Sequence, residues 1–322
     1  MINILFFGEC MIESHAKGIF RFGGDSLNSA LYLARVTSQE KIMVSYATAI
    51  GQDNESLQLL AKWRQEGIDT GFVSKIEGKA LGRYSISNNE QGERSFRYER
   101  DDSAAKYYFS HSNKAFEAAL LNNKIDYFYF TGISLAILSV QDCQYLFQLL
   151  TTFKRQGGRV IFDNNYRPIL WQNRQPLPIY HQAMNLADIA FLTDEDEYAL
   201  YGGDTIASIL SRYPLSSLGD GVELVIKQGA KPCLIRAAEN DVALLQISTP
   251  DLSKEKIIDT CAAGDAFAAG YLAKRLSGAS IPVSAQFAHV LAGRVIQYPG
   301  AIIAPEDMID LMPSSAPEKT RG

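Results

Sequence analysis

The stretch Lys256-Ile257-Ile258-Asp259-Thr260-Cys261-Ala262-Ala263-Gly264-Asp265-Ala266-Phe267-Ala268-Ala269-Gly270-Tyr271-Leu272 carries the strongest local signal in the chain. An apolar entry leads into a turn of small side chains, and an alanine-rich helical segment follows. Small residues just before and inside a helix N-terminus let backbone N–H groups approach an anion closely, and the helix dipole adds about half a positive charge there. A phosphate is the guest that suits such a site. Asp265 falls in the first turn, where a carboxylate makes a poor phosphate ligand but a good general base toward an attacking hydroxyl. The plainer alternative is that Asp265 only caps the helix and the Ala/Gly run serves close packing; the local pattern leaves both open.

Upstream, short apolar runs recur at Ile4 to Phe7, Ile42 to Ile50, Tyr127 to Phe130, Val160 to Phe162, Ile189 to Leu192 and Leu224 to Ile226, several followed by a turn signal and a helical stretch. That alternation predicts an α/β fold with a mainly parallel sheet and helices on both faces. One crossover helix is plain: Cys143, Leu146, Phe147 and Leu150 follow the i, i+3, i+4, i+7 spacing behind Ser139 as N-cap, with Gly157-Gly158 closing the far end. Residues 81 to 100 differ. Tyr84 and Ile86 alternate with Arg83, Ser85 and Ser87, and after Asn88 to Gly92 the residues Phe96, Tyr98 and Arg100 alternate with Ser95, Arg97 and Glu99. The pattern predicts a β-hairpin that puts Tyr98 and Arg100 on one face and acts as a lid.

The chain of 322 residues holds 31 basic and 36 acidic side chains, a formal net charge of −5. Without clustered Lys and Arg it offers nucleic-acid phosphate or an anionic membrane no general attraction. The N-terminus lacks a basic n-region, and no segment approaches the ~18 apolar residues that cross a bilayer; a cytoplasmic location is expected. Cys10, Cys143, Cys233 and Cys261 are far apart with no C-x-x-C pair and read as reduced thiols. There is no Walker G-x-x-x-x-G-K-[ST] and no G-x-G-x-x-G, which excludes a P-loop kinase and disfavours a nicotinamide dehydrogenase. The tail from Ser314, with Pro, Lys, Arg and Gly, reads as frayed.

Asp259 to Asp265 resembles the D-T-x-[AG]-[AG]-G-D motif of the ribokinase-like (pfkB) carbohydrate kinases, and Gly23-Gly24-Asp25-Ser26-Leu27-Asn28-Ser29-Ala30 is similar to their N-terminal glycine pair. Gly51-Gln52-Asp53 with Gly67-Ile68, Asp163-Asn164-Asn165-Tyr166-Arg167 with Trp171, Asp194-Glu195-Asp196-Glu197, and Lys227-Gln228-Gly229 follow in the family's order, so the similarity covers nearly the whole chain. Within the family, Phe7-Gly8-Glu9-Cys10-Met11-Ile12-Glu13, Tyr98-Glu99-Arg100, Val295-Ile296-Gln297-Tyr298 and Gly300-Ala301-Ile302-Ile303 resemble the kinases of 2-dehydro-3-deoxygluconate.

The resemblance implies a ribokinase-like three-layer α/β/α catalytic domain over residues 1–313, with a β lid from about 9–22 and 71–105 and a flexible tail at 314–322. It implies ATP and Mg²⁺ as cofactors and a sugar acid as substrate. Asp265 is then the base, with Ala262, Ala263 and Gly264 supplying backbone N–H groups for the transferring phosphoryl group. Gly24, Asp25, Asn28, Tyr84, Tyr98, Arg100, Arg167 and Asp265 are the expected substrate contacts. Asn165, Arg167, Lys227, Gly229 and Gly264 are those expected for the nucleotide.

A keto-acid carboxylate suits the planar forks of Arg100 and Arg167, and both fall where ligands of open α/β sheets bind. The plainer alternatives are a solvated lid charge for Arg100, a loop salt bridge for Arg167, and simple packing for Tyr84 and Tyr98. The family's N-x-x-E motif appears as Asp194-Glu195-Asp196-Glu197, which leaves Glu197 to act on magnesium through water or merely to start a helix. The usual G-x-x-G is reduced to Gly229-Ala230-Lys231-Pro232. The other functional readings are another sugar kinase of the family, such as a fructokinase, or a silent sugar-binding regulator. The lid edge is also a candidate for pairing with a second copy.

Overall fold

In the computed structural model, residues 1–14, 20–88, 94–110, 113–203, 205–214, 222–237, 244–250 and 256–313 are described. The expected tail at 314–322, the hairpin tip at 89–93 and the lid stretch 15–19 lie outside them.

Thirteen strands occur among these residues: β1 (Ile2–Phe7), β2 (Met11–Ser14), β3 (Phe20–Gly23), β4 (Ile42–Ile50), β5 (Val73–Lys75), β6 (Gly82–Asn88), β7 (Arg94–Glu99), β8 (Tyr127–Thr131), β9 (Arg159–Asp163), β10 (Ile189–Thr193), β11 (Glu223–Lys227), β12 (Cys233–Ala237) and β13 (Leu245–Ile247). The helices are α1 (Asp25–Val36), α2 (Asn54–Gln65), α3 (Lys114–Leu121), α4 (Gly132–Ile137), α5 (Val140–Arg155), α6 (Leu177–Leu186), α7 (Asp194–Tyr201), α8 (Ile206–Arg212), α9 (Ala263–Arg275) and α10 (Ile281–Val295).

Nine strands form one sheet in the order β13-β12-β11-β10-β9-β8-β1-β4-β5. It is parallel from β11 to β5, while β12 and β13 add antiparallel at one edge. Alternate side chains of each central strand enter different cores, as a period of two demands. Ile4, Phe6, Ile161 and Phe191 join α1, α2, α9 and α10 on one face. Leu5, Phe7, Phe162 and Leu192 join α3, α5, α6 and α8 on the other. The expected three-layer α/β/α arrangement is therefore observed, and all six apolar runs are strands.

The crossover helix α5 follows its sequence pattern. Cys143, Leu146, Phe147 and Leu150 are buried, the Ser139 hydroxyl accepts from the Asp142 N–H at 3.1 Å, and the chain leaves through Gly157 at φ +94°. The four cysteines are free thiols, and no helix among the described residues is long and apolar enough to cross a membrane.

The lid is a second sheet, β3-β2-β6-β7. Its hairpin pairs Tyr84 with Tyr98 in antiparallel register, and β6 joins β2 in parallel. This lid is narrower than the sequence reading drew it, because Val73–Lys75 pairs with β4 in the main sheet. That short run follows α2 after a turn and has the edge of β4 beside it.

The cap at Ser139 is the exposed, local element best suited to a stability test. Ser139→Ala should lower unfolding free energy by about 1 kcal/mol, read from the midpoint of urea denaturation at unchanged slope.

Candidate active site

The carboxyl ends of the parallel strands and the amino ends of the helices that follow them meet at one edge of the main sheet, and the polar residues gather there. Ala262 sits in the left-handed region at φ +59° and turns the chain into α9 with no side-chain cap. The first-turn N–H groups of a helix have no intrahelical partners, so this end is open to an anion. Ala263 N–H donates back to the Thr260 carbonyl at 3.2 Å, so among the three expected donors, Ala262, Ala263 and Gly264, it is Ala263 that is partly committed. A Cβ placed on Gly264 would lie 3.4 Å from Lys227 Nζ; the glycine keeps open the gap between the helix end and a cation at the end of β11.

Asp265, in the first turn of α9, is fixed by Asn28 of α1, whose Nδ2 donates to Asp265 Oδ2 at 2.8 Å. Asn28 Oδ1 accepts from Gly24 N–H at 3.4 Å, which ties the glycine turn to the same pair. Burial, followed by the nearby charge of Asp25, pushes the Asp265 carboxyl up to about 7. Asp25 is itself raised by burial, against the bond from Thr131 and the Arg167 charge. Its Oδ2 accepts from Asn165 Nδ2 at 2.8 Å.

Asp163, at the end of β9, takes a 2.7 Å ion pair from Lys227 and a 3.4 Å bond from the Tyr129 hydroxyl. Its other oxygen is buried with no partner among the described residues. Arg167 bonds Asp196 of α7 at 2.9 Å through Nη1 and remains half-exposed. Its ion-pair partner is therefore on another element, while the same Nη1 also donates to the Tyr166 carbonyl of its own loop at 2.7 Å. Gly229 follows β11 at φ +58° in a turn with open space where a side chain would be.

Glu197 does not face this cluster as an open ligand. Its carboxylate is buried and accepts from Asn164 Nδ2 (3.3 Å), Arg212 Nη1 (2.9 Å) and the Tyr213 hydroxyl (3.4 Å). Asn164 Oδ1 in turn accepts from the Asn165 and Thr193 N–H groups at 2.8 and 3.1 Å. Glu197 thus acts one layer back, holding Asn164 and through it Asn165, which sits at φ +27°.

On the lid, the Tyr84 hydroxyl donates to Glu13 Oε2 at 2.7 Å, and it lies 3.9 Å from where a Gly23 Cβ would be. The phenol is thereby fixed beside the glycine turn as an acceptor. Tyr98 is half-exposed, its ring centre 6.2 Å from that of Tyr84. Arg100 is not a solvated lid charge: it is largely buried in an ion pair with Glu9, just past the end of β1.

These residues fit a polyphosphate and a hydrated divalent ion. The anion is met by the open end of α9 and by Lys227. No cluster of three metal-binding side chains occurs among the described residues, so the site is no all-protein cage. The unpartnered oxygen of Asp163 and the carboxylate of Asp196 suit an ion such as Mg²⁺ that keeps its water and is held largely by phosphate oxygens.

The sequence profile of the pfkB family carbohydrate kinases matches residues 7–308. The chain belongs to that family. Two 2-dehydro-3-deoxygluconokinases are similar to this pfkB chain throughout: that of Escherichia coli K12 at 43% identity over 310 residues, 95% of this chain and 98% of the other, and that of Dickeya dadantii at 42% over 311 residues, with the same coverage. An E. coli structure described as a ribokinase II in complex with ATP and Mg²⁺ superposes with a TM-score of 0.76 at 18% identity, covering 94% of each chain.

The pfkB fold brings Gly24, Asp25, Asn28, Asn165, Lys227, Gly264 and Asp265 into one bonded neighbourhood, with Tyr84 at its lid side. Glu9, Glu13, Asp163, Asn164 and Asp196 were not singled out as site residues from sequence. Two of them carried a visible signal: Asp163 ends the buried run Val160-Ile161-Phe162, and Glu9 follows Phe6-Phe7-Gly8. A charge at the carboxyl end of an inner strand points into the ligand crevice.

Because burial raises the Asp265 carboxyl, kcat/KM should climb with pH along a limb centred near 7 as the base ionises. Asp265→Asn should lower kcat by roughly 10²-fold or more and flatten that limb. The same substitution should stabilise the fold at high pH. A carboxyl raised from 3.8 to about 7 costs stability as pH climbs between those values, so the variant should gain up to about 4 kcal/mol at pH 8 and nothing near pH 3.5. Paired urea titrations at the two pH values check this.

Proposed function

We propose that this pfkB kinase phosphorylates the terminal hydroxyl of 2-dehydro-3-deoxy-D-gluconate with ATP, giving the 6-phospho product in the cytoplasm. The observation that carries the reading is the partly buried Asp265 carboxylate, held by Asn28 beside the uncapped amino end of α9. The choice of sugar acid is supported by the relatives at 42–43% identity.

The chemistry asked of the chain is modest. ATP supplies the phosphoryl group, and Mg²⁺ offsets charge on its phosphates. Asp265 accepts the hydroxyl proton as the new O–P bond forms and the bond from the phosphoryl group to the departing ADP breaks. Asn28 keeps the carboxylate oriented, and a partner worth about 1 kcal/mol suffices to hold one rotamer. The N–H groups at the start of α9 and the Lys227 ammonium meet charge that develops on the transferring group, in a site where burial strengthens every such contact. Asp25 holds a sugar hydroxyl at the glycine turn, and Asn165, bonded to it, stands on the nucleotide side. Tyr84 accepts from another, Tyr98 covers the sugar, and Arg100 and Arg167 take the carboxylate. Gly229 lets the nucleotide approach the backbone after β11.

The lid has little core of its own and closes over bound substrate. Its outer strand β7 is an unpaired edge among the described residues, which makes it the surface through which a second copy would pair.

An ADP-release assay over a panel of sugar acids and neutral sugars tests the assignment; a higher kcat/KM for a neutral ketose such as fructose would replace it. Arg100→Lys and Arg167→Lys keep the charge and lose the fork. With a charge-assisted bond of ~1.5–3 kcal/mol at stake, each should cost roughly 10- to 150-fold in kcat/KM for the sugar acid, and far less for a neutral ketose. Amide exchange in β6 and β7 should slow when the sugar acid is added. Exchange that ignores the sugar acid would make the lid a static element.

A further inference from the structure

We propose that Glu9 is a positioning residue for carboxylate recognition: it holds the Arg100 guanidinium in the orientation that engages the sugar acid. The proposal rests on the sugar-acid reading above. Glu9 lies just past β1 and is 2% exposed; Arg100 follows β7 on the lid. Their ion pair, from Arg100 Nη2 to Glu9 Oε2, joins the two across the base of the lid.

Three observations separate this pair from ordinary packing. First, it uses one of the five N–H donors of Arg100, and no other partner of the guanidinium occurs among the described residues. One end of the fork is pinned while the rest stays available. Second, the pair is poorly suited to stabilising the fold. Glu9 Oε1 is buried and has no partner among the described residues, and a buried ion pair with an orphaned oxygen is seldom better than two apolar side chains of the same size. A buried pair so poorly satisfied points to a use other than stability.

Third, the chain makes room for it at two glycines. A Cβ on Gly82, at the start of β6, would come within 2.8 Å of Glu9 Oε1 and 3.2 Å of Arg100 Cβ. A Cβ on Gly24 would run into the Glu9 carbonyl. Gly24 directly precedes Asp25, so the residue that pins Arg100 also packs against the turn that begins the substrate site. The backbone of Glu9 registers the glycine turn, and its side chain registers the lid arginine.

Two variants disturb the pair by different routes. Glu9→Gln keeps shape and removes the charge. Gly82→Ala leaves every charge in place and pushes the two side chains apart. Each should raise KM for 2-dehydro-3-deoxy-D-gluconate by roughly tenfold, with kcat and the KM for ATP within about threefold. Partial unfolding would do the reverse, lowering kcat through the active fraction at unchanged KM. Urea midpoints at or above the parent's for Glu9→Gln/Arg100→Met would confirm that the pair is not there for stability. Unchanged sugar-acid KM in both single variants, while Arg100→Lys raises it, overturns the role of Glu9 and leaves the arginine reading standing. Unchanged KM in Arg100→Lys as well overturns both.

Discussion

Four carboxylates share one desolvated edge of the sheet, and the rest of the site is arranged around keeping them there. Asp25, Asp196 and Asp265 each lie in the first turn of a helix, and Asp163 ends a strand beside them. A carboxylate taken out of water is disfavoured in its charged form, and burial raises Asp25, Asp196 and Asp265 for that reason, with the charges of neighbouring acids adding to it. Three helix dipoles, the Lys227 ammonium and the Arg167 guanidinium offset the charge in part. What is left over is useful: a carboxyl poised near neutrality can take a proton that an ordinary surface aspartate could not.

The surrounding polar residues form a relay that fixes these acids without joining the chemistry. Glu197 holds Asn164, Asn164 holds the backbone of Asn165, and Asn165 holds Asp25. On the other side, Gly24 holds Asn28 and Asn28 holds Asp265. Each link is a modest bond. Together they leave the reacting groups one conformation, which is how proximity becomes rate.

Much of this was legible in the sequence, for physical reasons that differ by element. The inner strands were readable because a parallel strand buried on both faces must be apolar throughout, and α5 because its cap, stripe and glycine exit agree. The turn at Ala262 to Asp265 was readable because only small residues permit the approach that it makes. Partners were the illegible part. Nothing local in Tyr98-Glu99-Arg100 says that the arginine is neutralised by a glutamate some ninety positions earlier, and nothing in Asp194 to Glu197 says which carboxylate faces inward. Helix phase settles that question, and only the packed α7 shows that Asp196 meets Arg167 while Glu197 turns toward Arg212. The family resemblance implies a lid over about 71–105, whereas Val73–Lys75 pairs with the free edge of β4 in the main sheet.

The turn into α9 is tied to more than its own helix. Asp259 accepts from Cys261 N–H through one oxygen and from Gly300 N–H through the other, both at 3.0 Å, while the Ile296 carbonyl accepts from Ile258 and Asp259 N–H groups. The shape of the anion cradle therefore depends on residues 296–300, far from the sheet's centre. Segments of this kind open sub-globally at a lower free energy than the core. A change confined to that loop would reshape the phosphate cradle without touching a strand of the sheet, so phosphoryl transfer in this chain answers to a segment near the C-terminus as well as to its core.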